Sequence, residues 1–401
     1  MQVAIIGGKL QGVEAAYLAK KAGWDVVLFD RREKAQGAHL ADVFHCMDVL
    51  RSREEFVAKL QGADLILPAV EDVEVLTALA EVGQRTQIPC VLDLAAYKVS
   101  SSKQRSNQLF AAMGIPTPRP WPDCHFPMLL KPSDRSGSEG VQVIPDQEEL
   151  ERVLHQEPRD NWILEEYIEG PSYSIEVIGF SGKYQVFQIT ELEMDAQYDC
   201  KRVLAPVRLD LGLKGELKEI ALKLARELSL QGIMDVEVIL HAGKLKVLEI
   251  DARLPSQTPT AVFHSTGLNM VEYLGEAFVQ GKMPGPGLKQ AIQKGAGRPV
   301  ILEHFLVTPE KIEACGEHIL GEAGPLHLLT DFFGADEVLT DYAGGKKEWV
   351  LSLMTWGSSF VEVWDKRAQV LKRIQRELQI PKVLDPYPLS QCPVNAKITR
   401  Y

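Results

Sequence analysis

The chain lacks any C-x-x-C pair, and its six cysteines, Cys46, Cys90, Cys124, Cys200, Cys315 and Cys392, are scattered along 401 residues. That spacing argues against a cysteine-held zinc and against a dense disulfide scaffold, and it points to a reducing cytoplasm. Basic residues are in deficit: 44 Lys and Arg face 55 Asp and Glu, for a net charge of -11. Affinity for a nucleic-acid backbone rests on clustered cations, so no nucleic-acid partner is expected. No stretch approaches the ~18 apolar residues of a membrane span. The opening MQVAIIGG also has no basic segment ahead of its short apolar run, so neither export nor insertion is expected.

Two nucleotide signatures are also missing. Gly-Lys pairs start at positions 8, 182, 243, 281 and 345, but Leu, Tyr, Leu, Met and Lys follow them, never the Ser or Thr that would reach magnesium in a Walker-A loop. GGKLQG at 7–12 has the outer glycines of G-x-G-x-x-G, and Asp30 ends the next strand. Lys9 occupies the middle glycine's place and keeps the backbone away from a pyrophosphate, which disfavours a nicotinamide oxidoreductase. A structural tight turn and a small-anion site made by Lys9 and a helix N-terminus both stay open.

What is present is an ordinary globular composition, 45% hydrophobic and 25% charged, at a length that suits two or three domains. QVAIIG, GVEAAYLAKKAG and DVVLFD read as strand, helix and strand, and further strands are expected at 64–68 and 89–94. This alternation implies a parallel sheet covered by helices. Beyond a polar helix and a Pro-rich turn the pattern changes to short strands with glycine-rich turns. An amphipathic helix is expected over 214–229, with Gly232 just past its end. WVLSLMTW reads as a strand, and a later helix carries Trp364, Leu371, Ile374 and Leu378.

PMLLKPSDRSGSEGVQVI (127–144) delivers Lys131 from a strand into a turn of small residues, where Ser136, Gly137 and Ser138 could fold backbone N–H groups over phosphate oxygens. A flexible hairpin would look the same. Lys103 could reach the same phosphates, or simply be solvated. WILEEYIEG (162–170) could offer backbone groups and an apolar wall to a base through Glu165, Glu166, Tyr167 and Ile168, although an acid-flanked edge strand reads identically.

GIMDVEVILHAGKLKVLEIDAR (232–253) is the most informative segment. A hairpin loop of three or five residues centred on Gly243 sets Glu237 opposite Glu249 and Asp235 opposite Asp251. Two like charges about 5 Å apart repel by roughly 3 kcal/mol at an effective dielectric near 20, which exceeds the ~0.2–1 kcal/mol of a good cross-strand pair. Something must neutralise the four acids. Protonation is one answer; magnesium shared with nucleotide phosphates is the other, with Lys131 and Arg253 as anion clamps.

Taken in order, these segments resemble the ATP-grasp superfamily of carboxylate-amine ligases over about residues 1–285. The resemblance implies a mixed α/β and α+β protein: an ATP-grasp fold with an N-terminal Rossmann-like pre-ATP-grasp domain (1–97), an N-lobe with a glycine-rich lid (98–170) and a C-lobe (171–401). It implies ATP on Lys103, Lys131, the lid and Glu165–Ile168. Magnesium, two ions, would sit on Glu237, Glu249 and Asp251, and Arg253 and Lys131 would act in catalysis. Asp251 stands where asparagine is usual, and Ser172 where many members carry a ribose-binding glutamate. MDAQYDCKRVLAP, EIDARLPSQTPTAVFHSTGLN and EHF extend the resemblance nearly end to end, to the ligases of pyrrolysine biosynthesis that join 3-methylornithine to the ε-amine of lysine.

Both substrates of that reaction are cationic, so acidic neighbours are expected: Glu176, Asp195 and Asp199, with Ser174, Tyr198, Ser256, Thr258 and Arg253 as polar partners. The Lys9, Leu10 and Gln11 loop is a further candidate contact for an amino acid. The alternatives are another ATP-grasp amino-acid or carbamoyl-type ligase, and an acidic module that binds a cation alone. Oligomeric state is not set by the sequence, and a homo-oligomer stays open.

Overall fold

The computed structural model describes residues 1–135, 137–155, 161–283 and 297–385. The first sheet is parallel, built from β1 (Gln2–Ile6), β2 (Asp25–Asp30), β3 (Val43–Cys46) and β4 (Leu65–Pro68) in the order β3-β2-β1-β4. The expected strand at 89–94 is reduced to a single bridge from Cys90 to Ile66. Pro89 has no N–H to give a ladder, and Asp93 turns away to cap the helix Leu94–Ser100 through the Ala96 N–H.

Helix Leu10–Lys21 follows β1, and its run from Gln11 to Ala19 is buried on every side. A surface helix would show one apolar stripe. This one is enclosed between the first sheet and the helices Thr258–Thr266 and Met270–Gln280, so that Ala15, Tyr17 and Leu18 share a core with Val262, Val271 and Leu274. The first hundred residues therefore have their own sheet but share their core with the largest lobe.

A small antiparallel sheet comes next, from β5 (Met128–Pro132), β6 (Gln142–Ile144) and β7 (Trp162–Glu166) in the order β6-β5-β7. Helix Gln147–Leu154 covers it, packing Leu150 and Val153 on Met128, Leu130 and Ile144.

The third sheet has twelve strands among the described residues. Those nearest the site are β8 (Ser172–Phe180), β9 (Lys183–Val186), β10 (Thr190–Met194), β11 (Cys200–Ala205), β12 (Gly232–His241), β13 (Lys244–Asp251) and β14 (Val300–Val307), and the order runs β13-β12-β8-β10-β11-β14. Helix Leu211–Glu227 lays Leu217, Ile220, Ala221 and Leu224 on it. The left-handed residue after that helix is Ser229, not Gly232, which already opens β12. The strand Trp349–Trp356 and the helix Phe360–Leu378 form as the sequence suggests. No helix among the described residues is long and apolar enough to cross a membrane.

Candidate active site

The carboxylate hairpin has the expected partners, reached by a different route. Its turn is two residues, Ala242 and Gly243, both at positive φ (49° and 77°), the type that matches strand twist. A two-residue turn alone would leave the acids one position out of step. The difference is made up by a bulge between Val247 and Glu249: Leu248 is the extra residue, and beyond it Glu237 pairs with Glu249 and Asp235 with Asp251. The neighbouring β8 adds Glu176 opposite Asp235 and Ser174 opposite Glu237.

Three cations close around these acids. Lys103, at the start of helix Lys103–Met113, sets its Nζ 3.1 Å from Glu249 Oε2 and donates to the Arg135 carbonyl at 2.6 Å. Lys131 on β5 reaches Glu165 on β7 at 2.6 Å. Arg253 joins Asp251 at 2.9 Å and Glu71 at 3.1 Å. Burial and the neighbouring carboxylates push Asp235 well above the usual range, Glu237 up to about 8 and Asp251 up to about 6. Burial also acts on Glu249, but Lys103 and Lys131 outweigh it and hold this carboxyl below its ordinary value.

The donor set fits magnesium. It consists of hard carboxylate oxygens facing one cavity, with repulsion among them that a divalent cation would relieve, and Asp235 Oδ1 is buried without a hydrogen-bond partner. Glu237, Glu249 and Asp251 would hold the ion. Among the described residues, the trio whose ligand atoms all lie within 4.8 Å of one another is a different one, Asp195, Asp199 and His318. Its carboxylates already have partners: Asp195 accepts from the backbone N–H groups of Gln197, Asp199 and Gly316, and Asp199 from the backbone N–H and the ring of His318.

One cavity brings together Lys103, Lys131, Gly137, Ser138, Glu165, Glu166, Tyr167, Ile168, Glu237, Glu249, Asp251 and Arg253. Ser136 lies outside the described residues. Glu166 is committed elsewhere by its side chain, to Arg119 at 2.9 Å and Lys246 at 2.6 Å, and hydrogen bonds led by Arg119 bring it down to about 2. Its backbone N–H is committed too, donating to the Arg119 carbonyl at 2.8 Å. Ser138 closes the glycine-rich turn onto the β10–β11 loop by donating to the Tyr198 carbonyl at 2.7 Å.

The substrate candidates divide. Tyr198, Asp199, Ser256 and Thr258 line the same cavity. Lys9, Leu10 and Gln11 line a second one, at the carboxyl ends of β1 and β4, where Gln11 donates to Glu71 at 2.7 Å. Ser174, Glu176 and Asp195 line neither. Glu176 is fully buried beneath the Thr258 helix, accepts from Ser174 at 3.3 Å and is pushed by burial up to about 7. In the GGKLQG loop, Asp30 takes the Gly8 N–H at 2.7 Å and pairs with Arg32 at 2.8 Å. A Cβ on Gly12 would lie 2.0 Å from the Gly7 carbonyl oxygen, so this glycine is required by backbone packing.

Gly137, Arg253, Ser256 and Glu317 line both cavities, which meet at these residues. Glu71 and Glu317 escaped the sequence reading. Glu71 had a signal, an acid just past the carboxyl end of a parallel strand, where α/β sheets place ligands. Glu317 had none.

An ATP-grasp domain model matches residues 100–257. The fold is shared with N5-carboxyaminoimidazole ribonucleotide synthetase from Thermus thermophilus (TM-score 0.66, 17% identity, 96% of this chain and 99% of that one). It is shared too with the biotin carboxylase domain of Hydrogenobacter thermophilus 2-oxoglutarate carboxylase (TM-score 0.70, 15% identity, 92% and 89%). A much nearer relative is the 3-methyl-D-ornithine–L-lysine ligase of Methanosarcina acetivorans, 40% identical over 366 residues that span 91% of this chain and 95% of the relative. The chain belongs to this family of ATP-grasp ligases.

Proposed function

We propose that the protein joins the carboxylate of 3-methyl-D-ornithine to the ε-amine of L-lysine, converting ATP to ADP and phosphate through an acyl phosphate. The observation that carries the ATP-dependent step is the meeting of Glu237, Glu249 and Asp251 with Lys103, Lys131 and Arg253 in one cavity. The substrates follow from the name of the 40% identical relative.

In this reading, Lys103 and Lys131 bind the nucleotide phosphates as point charges, and the Gly137–Ser138 turn covers them with backbone N–H groups. The base lies against the backbone of Glu165–Ile168. Two magnesium ions, held by Glu237, Glu249 and Asp251, would neutralise charge on the transferring phosphoryl group. Arg253 is directed along the same face and stabilises the acyl phosphate by charge-assisted hydrogen bonds. The second cavity, with Lys9, Leu10, Gln11 and Glu71, receives an amino acid whose carboxylate meets Lys9 and the helix start and whose ammonium meets Glu71.

The test is phosphate release from ATP with D-ornithine or its 3-methyl form, with lysine, and with both, followed by mass spectrometry of the amide. Dependence on the pair supports the reading. Equal turnover with D-alanine pairs would assign the protein to another ATP-grasp ligase, and tight metal binding with no ATP turnover would reduce it to a cation-binding module.

A further inference from the structure

The amine nucleophile of such a ligase arrives as an ammonium, since a free lysine side chain has a pKa near 10.4. Some group must take its proton where the two substrates meet. We propose that Glu317 is that base; the assignment rests on the ligase reading above.

Position is the first argument. The phosphate cavity and the second cavity touch at Gly137, Arg253, Ser256 and Glu317, and Glu317 is the one carboxylate among these four. An amine from the second cavity and an acyl phosphate beside Arg253 would come together there.

The carboxyl group is also held for a task. Oε1 accepts from Ser256 Oγ at 3.0 Å, while Oε2 is shielded from solvent and takes no hydrogen bond. A buried carboxylate oxygen without a donor carries a desolvation cost that an incoming ammonium would remove. Burial pushes the group up to about 7, against the pull of Ser256 and Gln257. A base with a pKa near the working pH is both ionised and able to accept.

The surroundings fix Glu317 from two sides. Asp195 binds the N–H of Gly316 at 2.9 Å and Asp199 binds the N–H of His318 at 2.9 Å, so the acids expected to meet substrate instead pin the backbone on either side of Glu317. Gly316 has to be glycine: a Cβ would lie 2.1 Å from Asp199 Oδ2. From the other side, Gln257 sits at φ 69°, a costly conformation for this residue, held by His304 Nε2 at 2.8 Å from its Oε1. The amide oxygen can only accept, so His304 donates through Nε2 and receives the Ser352 hydroxyl on Nδ1 at 2.8 Å. Burial drives His304 down to about 3, which keeps it neutral in this relay.

The chemical step balances. The ε-ammonium gives one proton to Glu317 Oε2, and the freed nitrogen pair forms the C–N bond to the acyl carbon. The C–O bond to phosphate then breaks, phosphate leaves with the electron pair, and the second N–H proton goes to it.

Hydroxylamine, largely neutral at pH 7.5, attacks acyl phosphates without needing a base. Full-length wild type and Glu317→Gln are compared in two reactions with ATP, magnesium and D-ornithine, one with lysine and one with hydroxylamine. The expected result is a loss of at least 100-fold in amide formation by Glu317→Gln, with hydroxamate formation within about threefold of wild type and partial recovery of amide in Glu317→Asp. Amide formation near wild type, or equal loss of both products, overturns the assignment. Absence of hydroxamate from wild type itself would instead overturn the ligase reading.

Discussion

Replacing Glu249 by glutamine removes one charge from the hairpin and keeps its shape, so stability and chemistry are separated. Glu249 Oε2 lies 3.1 Å from Lys103 Nζ. At an effective dielectric near 20 that contact amounts to about 5 kcal/mol before solvation is counted. Against it stand Glu237, directly opposite at roughly 5 Å, and Asp251 two residues along at roughly 7 Å, which together repel by about 6 kcal/mol when ionised. The two terms nearly cancel when both acids are ionised; with Glu237 pushed up to about 8 a modest excess of attraction is left, in line with the lowered Glu249 carboxyl. Lys103 keeps its bond to the Arg135 carbonyl, and Glu237, freed of its largest charged antagonist, ionises more readily. Glu249→Gln should therefore melt within a few degrees of wild type. Its loss in turnover should be much larger, at least the ~10²–10³-fold that follows removal of one preorganised electrostatic group, because under the ligase reading an oxygen that would hold magnesium becomes a neutral amide. Thermal melting and ATP-dependent phosphate release with both amino acids test the two halves. A folded variant with activity within tenfold of wild type would remove Glu249 from the ion's coordination and with it the reason for the hairpin.

Other perturbations test separate parts of the molecule. Lys131→Met leaves Glu165 buried, at 3% side-chain exposure, without its 2.6 Å partner. It should cost about 3–5 kcal/mol in urea unfolding, and adding Glu165→Gln should recover most of that loss; additive losses would show that the pair is not coupled. Gly12→Ala forces a Cβ to 2.0 Å from a backbone oxygen and should destabilise by about 3 kcal/mol or more. An unchanged urea midpoint would refute that packing. Glu166 is brought from 4.5 down to about 2 by Arg119 and then Lys246, so its contribution to stability is complete above pH 4.5 and lost as pH falls through 2. Stability of Glu166→Gln should fall less steeply over that window, and parallel acid limbs for the two proteins would contradict the assignment.

How much of this was legible in the chain follows from the range of the interactions. The hairpin, its four acids and Lys131 were readable because strand alternation and cross-strand pairing are local rules. The helix at 10–21 was readable as a helix, but its burial on all sides was not, since Val262, Val271 and Leu274 arrive from some 250 residues away. The 89–94 segment has strand composition and was misread because Pro89 and the capping role of Asp93 decide its fate. Asp195 and Asp199 are acids of the expected kind near the expected place, but residues 316–318 claim them. No short-range pattern announces a contact of that separation.

The bulge at Leu248 shows how a local irregularity can shape a site. In a regular strand Val247 and Glu249 would share one face and Leu248 would lie on the other. Here Val247 and Ile250 are buried while Leu248 and Glu249 are both partly exposed, and both line the cavity that holds Lys103 and Lys131. The bulge therefore places an apolar side chain beside a carboxylate on the same surface, which alternation alone cannot do. Under the ligase reading this gives the base of ATP an apolar wall next to the acids that hold magnesium. Deleting Leu248 would leave a regular two-residue hairpin in which Glu237 still faces Glu249 and Asp235 still faces Asp251. The acids should survive this deletion and the wall should not. The expected outcome is a KM for ATP raised about tenfold or more with kcat reduced far less. A complete loss of turnover at saturating ATP would mean that the bulge sets the carboxylate geometry itself.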